Sequence, residues 1–309
     1  MNCSLIGKLI KEYRERLGIS QEELCGDFCA VSTLSRLENG KHLPGRKQIE
    51  AFFSYMGTKP PINIIPMTED DFRLYNLELD ITNRIAEHNY KYEELLEEYK
   101  NLFDENDILS KQYYLRAKAI FEFENSDKKN PEKYLNELIS VLQLTVKDFS
   151  LEKEITERYY TNNELELINS IAIIEWQCKK EESAIKHLEF LVSYYKNKRF
   201  IDERNKGQTL PILLYNLSNW YGRRKEIEKS LESSKEGIKL CKKYTQLCVL
   251  PELVFNLGCN YSFLGNHTEG KKCIIAALTI MKLLDNKNFE MGIDYVNENF
   301  GYNLTSENI

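Results

Sequence analysis

The chain has 309 residues, 42 Lys/Arg against 48 Asp/Glu, a net charge of −6, and only 14 glycines and 7 prolines. That length accommodates one small domain and one larger one, the scarcity of helix breakers points to an all-α fold, and the negative balance excludes a uniformly basic nucleic-acid coat. Neither a run of about 18 apolar residues nor the apolar core of an export signal occurs, so no membrane association is expected and the chain is expected in the cytoplasm.

The first sixty residues predict a bundle of short helices. Leu5, Leu9, Ile10, Tyr13 and Leu17 recur at helical spacing with charged residues between them, and Gly18 closes this first helix. Ser20 with Glu23 three residues on forms a capping box for a second helix, which ends near Asp27–Cys29. A third begins at Ser32 or its neighbours, runs through Leu34, Arg36 and Leu37, and stops at Asn39-Gly40. After Pro44-Gly45 a fourth, Arg46–Met56, turns Ile49, Phe52 and Phe53 inward. Charge is uneven: residues 1–66 hold nine Lys/Arg and seven Asp/Glu, net +2, leaving −8 for the rest of the chain.

Two short helices joined by a tight turn form a helix-turn-helix. Ser20-Gln21-Glu22-Glu23-Leu24, Ser32 through Lys41, and Pro44 resemble the Cro/phage-repressor-like (XRE) domain over residues 5–57, with a turn, Gly26–Val31, about one residue shorter than in some members. A recognition helix presents its first residues to major-groove base edges. Val31, Ser32, Thr33 and Arg36 are therefore the candidate readers, Arg36 as a bidentate partner of guanine. Gln21 at the start of the second helix is a candidate phosphate holder, and Asn39, Lys41, Arg46 and Lys47 are candidate backbone contacts.

Residues 58–67 contain Pro60, Pro61 and Pro66, which break the helical pattern and read as a stiff connector and candidate hinge. Amphipathic helices resume at Thr68 and continue to about Asn288. Hairpins are expected at Asp71–His88 with Tyr92–Phe103, and at Leu109–Glu124 with Pro131–Leu142. Two later stretches align 40 residues apart, Pro211–Tyr221 and Pro251–Tyr261, and Ile168–Ala172 matches less well. Each pairs a small residue with another twelve positions on: Ala172/Ala184, Ser218/Ser230 and Gly258/Gly270. Close-packed antiparallel helices need such pairs. The pattern resembles tetratricopeptide (TPR) repeats, with Lys242 and Lys282 where that family has a closing proline. It implies about five hairpins, a C-terminal piece at Glu290–Phe300, and a superhelix whose first helices line a groove.

In TPR stacks the position of Asn216 and Asn256 faces that groove, where an asparagine can clamp a peptide main chain. Asn169 or Ser170 stands there one repeat earlier, and Trp176, Gln177, Tyr215, Asn219, Arg223, Phe255 and Phe263 flank the series. An XRE head on a TPR body resembles the Rgg-like and PlcR-like peptide-pheromone receptors of Gram-positive bacteria. The resemblance implies a homodimer on double-stranded DNA bearing an inverted-repeat operator, with a short signalling peptide in the groove of residues 68–309 shifting DNA binding. A protein-interaction scaffold, or a regulator whose helical body only dimerises, is the alternative. The eight cysteines show no zinc spacing and are expected to be reduced, small apolar fillers. The four histidines are scattered and no catalytic fingerprint occurs, so neither enzyme activity nor a cofactor is expected.

Overall fold

The computed structural model describes residues 3–27, 29–57, 69–86, 88–127, 130–152, 155, 158–197, 201 and 203–309. Among them are fifteen α-helices and no strand. The proposed hinge at 58–66 lies outside the described residues. The chain divides into two compact units, residues 1–191 with 198–201, and residues 192–197 with 202–309.

The first unit opens with α1 (Cys3–Arg16), α2 (Gln21–Cys25), α3 (Val31–Glu38) and α4 (Arg46–Tyr55). The capping box forms as the sequence predicts: the Glu23 N–H donates to Ser20 Oγ at 3.1 Å and the Ser20 N–H to the Glu23 carboxylate at 2.7 Å. Losing such a cap costs about 1 kcal/mol. Ile6, Ile10, Leu24, Leu34, Leu37, Ile49 and Phe52 fill the core of these helices. Gly7 is required for their closeness, because a Cβ there would stand 2.0 Å from the Leu37 carbonyl oxygen.

The same unit continues with α5 (Glu69–Ala86), α6 (Glu93–Leu102), α7 (Ile108–Asn125), α8 (Pro131–Leu142), α9 (Asn162–Gln177) and most of α10 (Glu181–Asn197). Leu74, Leu77, Ile81, Tyr92, Leu96, Tyr99 and Tyr113 form the core of α5–α7. The head packs onto these helices: Leu109 of α7 belongs to the core of α1–α4. Glu78 of α5 joins the two parts electrostatically. It receives Arg46 at 3.1 and 3.3 Å, Lys47 at 2.6 Å and the Tyr99 hydroxyl at 2.7 Å. Near α9, the Arg158 guanidinium donates to the Tyr55 hydroxyl at 2.8 Å, and the Asn162 N–H to Ser54 Oγ at 2.6 Å.

The second unit holds α11 (Glu203–Arg223), α12 (Ile227–Tyr244), α13 (Leu250–Phe263), α14 (His267–Leu283) and α15 (Phe289–Phe300). The expected small-residue pairs meet. Ser230 Oγ donates to the Ser218 carbonyl at 2.7 Å. A Cβ on Gly258 would lie 2.8 Å from the Gly270 carbonyl oxygen, and one on Gly270 would lie 2.1 Å from Ser262 Oγ. Ala172 and Ala184, the first unit's pair, are both fully buried. The 18 residues of α12 account for much of the 40-residue spacing. Lys242 and Lys282 lie inside α12 and α14, so the missing prolines let these helices run on. Pro211 sits inside α11 rather than at its start; the residue four back, whose carbonyl its ring faces, is Gly207.

Candidate functional site

The helix-turn-helix is held by one buried ionic cluster. The Arg14 guanidinium donates from Nε to Glu38 Oε1 at 2.7 Å, from Nη2 to Oε2 at 3.0 Å, and from Nη1 to the Ile19 carbonyl at 2.8 Å. Gln21 Nε2 donates to Glu38 Oε2 at 2.7 Å. Arg14 is 9% and Glu38 5% exposed, so α1, the start of α2 and the end of α3 share one desolvated junction. The hydrogen bond to Glu38 is the largest cause that holds the Arg14 pKa above its ordinary value. In the sequence Arg14 stands among the charges between apolar positions. Its one signal was heptad position: Arg14 lies four residues after Ile10, on the buried stripe.

That junction orients α3, which begins at Val31 after an Ala30 N-cap. Val31, Ser32 and Arg36 are exposed together on it, and Thr33 is half-buried. Among the described residues Arg36 makes no ion pair, which leaves its five donors for an external acceptor. Asn39 and Lys41 are exposed just beyond, and Asn39 Nδ2 donates to the Ser35 carbonyl at 2.7 Å.

Two candidates, Arg46 and Lys47, depart from their expected roles, and Gln21 takes a structural role as well. Gln21 donates one amide N–H to Glu38, which ties the start of α2 to the end of α3 and leaves its second N–H for phosphate. Arg46 is 3% exposed and paired with Glu78 and Glu50. Lys47 lies against Glu78, with its ammonium 4.8 Å from the Tyr113 ring centroid. Both cations serve the contact of the head with α5–α7 and leave the set of backbone contacts.

The groove candidates fall in both units. In the first, Ser170 is buried and donates to the Glu166 carbonyl at 2.8 Å, so its hydroxyl is spent within α9 and leaves the ligand set. Asn169 and Trp176 are half-buried, Gln177 is exposed, and Asn169 Oδ1 is buried with no partner among the described residues. In the second unit a cavity of about 260 Å³ opens between the ends of α11, α13 and α15. Tyr215, Asn219, Arg223, Phe255, Asn256 and Phe263 line it, whereas Asn216 does not. Sequence reasoning missed Glu252, Asn260, Met281, Met291 and Tyr295, which line it too. Glu252 had a signal, because it stands one helical turn before Asn256. The floor is polar and satisfied: Asn260 Nδ2 donates to Ser230 Oγ at 2.9 Å, and Ser218 and Ser234 hydroxyls are 2.6 Å apart. Burial pushes the Tyr215 phenol pKa up, and the Glu252 charge adds to the rise.

Of the expected thiol fillers, Cys25, Cys241 and Cys259 are buried, while Cys248 is exposed. Cys25, Cys29, Cys178, Cys241, Cys248, Cys259 and Cys273 are free thiols. Among the described residues no helix is long and apolar enough to cross a membrane.

Residues 5–61 match the family described as "Helix-turn-helix domain". The helical body has known counterparts as well. The Bacillus thuringiensis PlcR structure in its apo form is 16% identical, with a TM-score of 0.58 over 94% of this chain and 98% of that one. The same protein in complex with the peptide PapR7 and DNA is 17% identical, with a TM-score of 0.57 over 93% and 98%. This likeness is one of fold, and it spans both units. No curated protein matches the sequence.

Proposed function

We propose that the chain is a sequence-specific DNA-binding transcription regulator whose helical repeats bind a short signalling peptide that alters DNA binding. It works in the cytoplasm as a homodimer on an inverted-repeat operator. Residues 1–57 read DNA, 58–67 connect, and 68–309 sense and dimerise. The observation that carries the reading is the α3 surface, where Val31, Ser32 and an unpaired Arg36 project from a helix fixed by the buried Arg14–Glu38–Gln21 cluster. Major-groove readout needs such a rigidly aimed set of donors. Support for a peptide comes from the cavity, which combines aromatic walls with polar side chains, and from the shared fold of PlcR, a protein solved with a peptide and DNA. Ligand control requires that the peptide prefer one of two arrangements of the protein.

The test is capture of genomic DNA fragments by the purified protein, with and without small peptides encoded near its gene. Enrichment of a pseudo-palindrome, with affinity falling as salt rises, is the expected result. A peptide-dependent change separates sensing from a body that only dimerises. Failure to enrich any sequence at low salt overturns DNA reading and favours a protein-interaction scaffold.

A further inference from the structure

Two polar atoms in the wall of the second unit's cavity are buried without partners among the described residues. Glu252 Oε1 accepts from Asn286 Nδ2 at 2.7 Å, but Oε2 has no donor. One turn further along α13, Asn256 Nδ2 has no acceptor. Native folds leave few buried polar groups unpaired, and each one calls for an explanation. These two are complementary, an acceptor and a donor, and both line the same cavity. Residues four apart on a helix lie roughly 5–6 Å from each other on one face. In an extended peptide the N–H and C=O of a single residue point to the same side, which is how paired residues of antiparallel strands exchange two hydrogen bonds.

Phe255, Cys259, Met281 and Tyr295 supply an apolar part of the lining around this pair. At about 260 Å³ it falls just below the roughly 300–1,000 Å³ of pockets that take a whole small ligand. It suits one or two large side chains of a longer ligand. Arg223 stands at the rim, exposed and without an ion pair among the described residues. A free guanidinium there matches the planar fork of a carboxylate.

We propose that this cavity is the specificity subsite for an anionic peptide: one large apolar residue enters it, Glu252 Oε2 accepts that residue's N–H, Asn256 Nδ2 donates to its C=O, and Arg223 binds a nearby carboxylate. The proposal rests on the peptide-sensing reading above. Glu252 is its new element, since an asparagine alone was expected to clamp the main chain. The carboxylate comes either from an acidic side chain or from the peptide's own C-terminus.

The test uses the full chain and two soluble libraries of random synthetic heptapeptides, one with free C-termini and one amidated. Peptides retained by the protein are read by mass spectrometry and measured singly by calorimetry. The expected peptides share a large apolar residue with a carboxylate close after it. Their affinity falls roughly tenfold or more in Glu252→Gln, Asn256→Ala and Arg223→Ala, in keeping with lost charge-assisted hydrogen bonds. Glu252→Gln keeps an oxygen for Asn286 and turns the free acceptor into a donor, so it preserves the fold, which circular dichroism checks. N-methylation of the apolar residue weakens binding to the wild type about as much as Glu252→Gln does, and the two losses do not add. Retention from the free-acid library alone assigns the carboxylate to the C-terminus, and Asp/Glu-bearing peptides from both assign it to a side chain. Peptides that bind all three variants as tightly as the wild type overturn this subsite and leave peptide sensing standing. Retention of no peptide from either library overturns both.

Discussion

Replacing Glu78 is expected to loosen the DNA-binding head from the helices behind it. Glu78 is 9% exposed and is the shared anion for Arg46, itself 3% exposed, and Lys47. At about 3 Å and an effective dielectric of roughly 20, each attraction is worth about 5 kcal/mol before desolvation is subtracted. Desolvation consumes several kcal/mol per ion, so the pair is weakly stabilising as it stands, but deleting one partner strands the other charges. Glu78→Ala leaves Lys47 without its anion and Arg46 with Glu50 alone, and takes the acceptor from the Tyr99 hydroxyl. The expected cost is about 3–5 kcal/mol. Unfolding of a chain with two units need not be two-state, so the assay is native-state hydrogen exchange on peptides covering α4 and α5. Glu50→Gln is the control: Glu50 pairs with the same Arg46 at i,i+4 with its side chain 30% exposed, a geometry worth about 0.5 kcal/mol. An opening free energy changed by less than about 1 kcal/mol in Glu78→Ala, or changed equally by Glu50→Gln, would refute this account. pH gives an independent check. Burial alone would raise the Glu78 pKa, but the charges of Lys47 and Arg46 outweigh it and hold the carboxyl below its ordinary value. A depressed carboxyl stabilises the fold above the unfolded pKa of about 4.3, and that stability disappears as pH falls through the folded value. Protection of α4 and α5 is therefore expected to decline below about pH 4.3 and to be flat above it in this respect.

Glu164 carries the opposite sign. It is fully buried, and burial raises its pKa despite hydrogen bonds from Thr145 and Thr161. A raised carboxyl costs stability at neutral pH, so Glu164→Gln is expected to be neutral or stabilising by about 1 kcal/mol at pH 7, and a clear fall in melting temperature would contradict it. Arg36→Ala is expected to lower specific operator affinity by about 1–3 kcal/mol, with the melting curve unchanged; equal affinity removes Arg36 from the readers. Gly258→Ala puts a methyl 2.8 Å from the Gly270 carbonyl and from Ile274. Overpacking of that kind costs about 1–3 kcal/mol, and hydrogen exchange should place the loss in α13 and α14.

Legibility followed sequence distance. The capping box of α2 spans three residues, and the pairs Ser218/Ser230 and Gly258/Gly270 span twelve, each within one hairpin. Period and spacing determine such features, so helix order and the five hairpins could be read directly. Arg46 could not. Its partner Glu78 lies 32 residues away across the connector, and an arginine beside Lys47 and Lys41 looks like solvated charge unless that partner is known. Arg14 was obscured in the same way by Glu38, 24 residues on. Both arginines illustrate one physical rule: a basic residue near a DNA-reading helix is available to DNA only if no buried carboxylate claims it first. Applied to the first 57 residues, the rule removes Arg14, Arg46 and Lys47 and spares Lys8, Lys11, Arg16, Arg36 and Lys41, so the basic surface is smaller than the sequence suggested. A smaller basic surface on a chain of net charge −6 neutralises fewer phosphates. Each phosphate lost takes about 0.9 from the salt slope of binding. Affinity for random DNA should then be low, and recognition should depend on α3 and on a second copy of the head bound at the same operator.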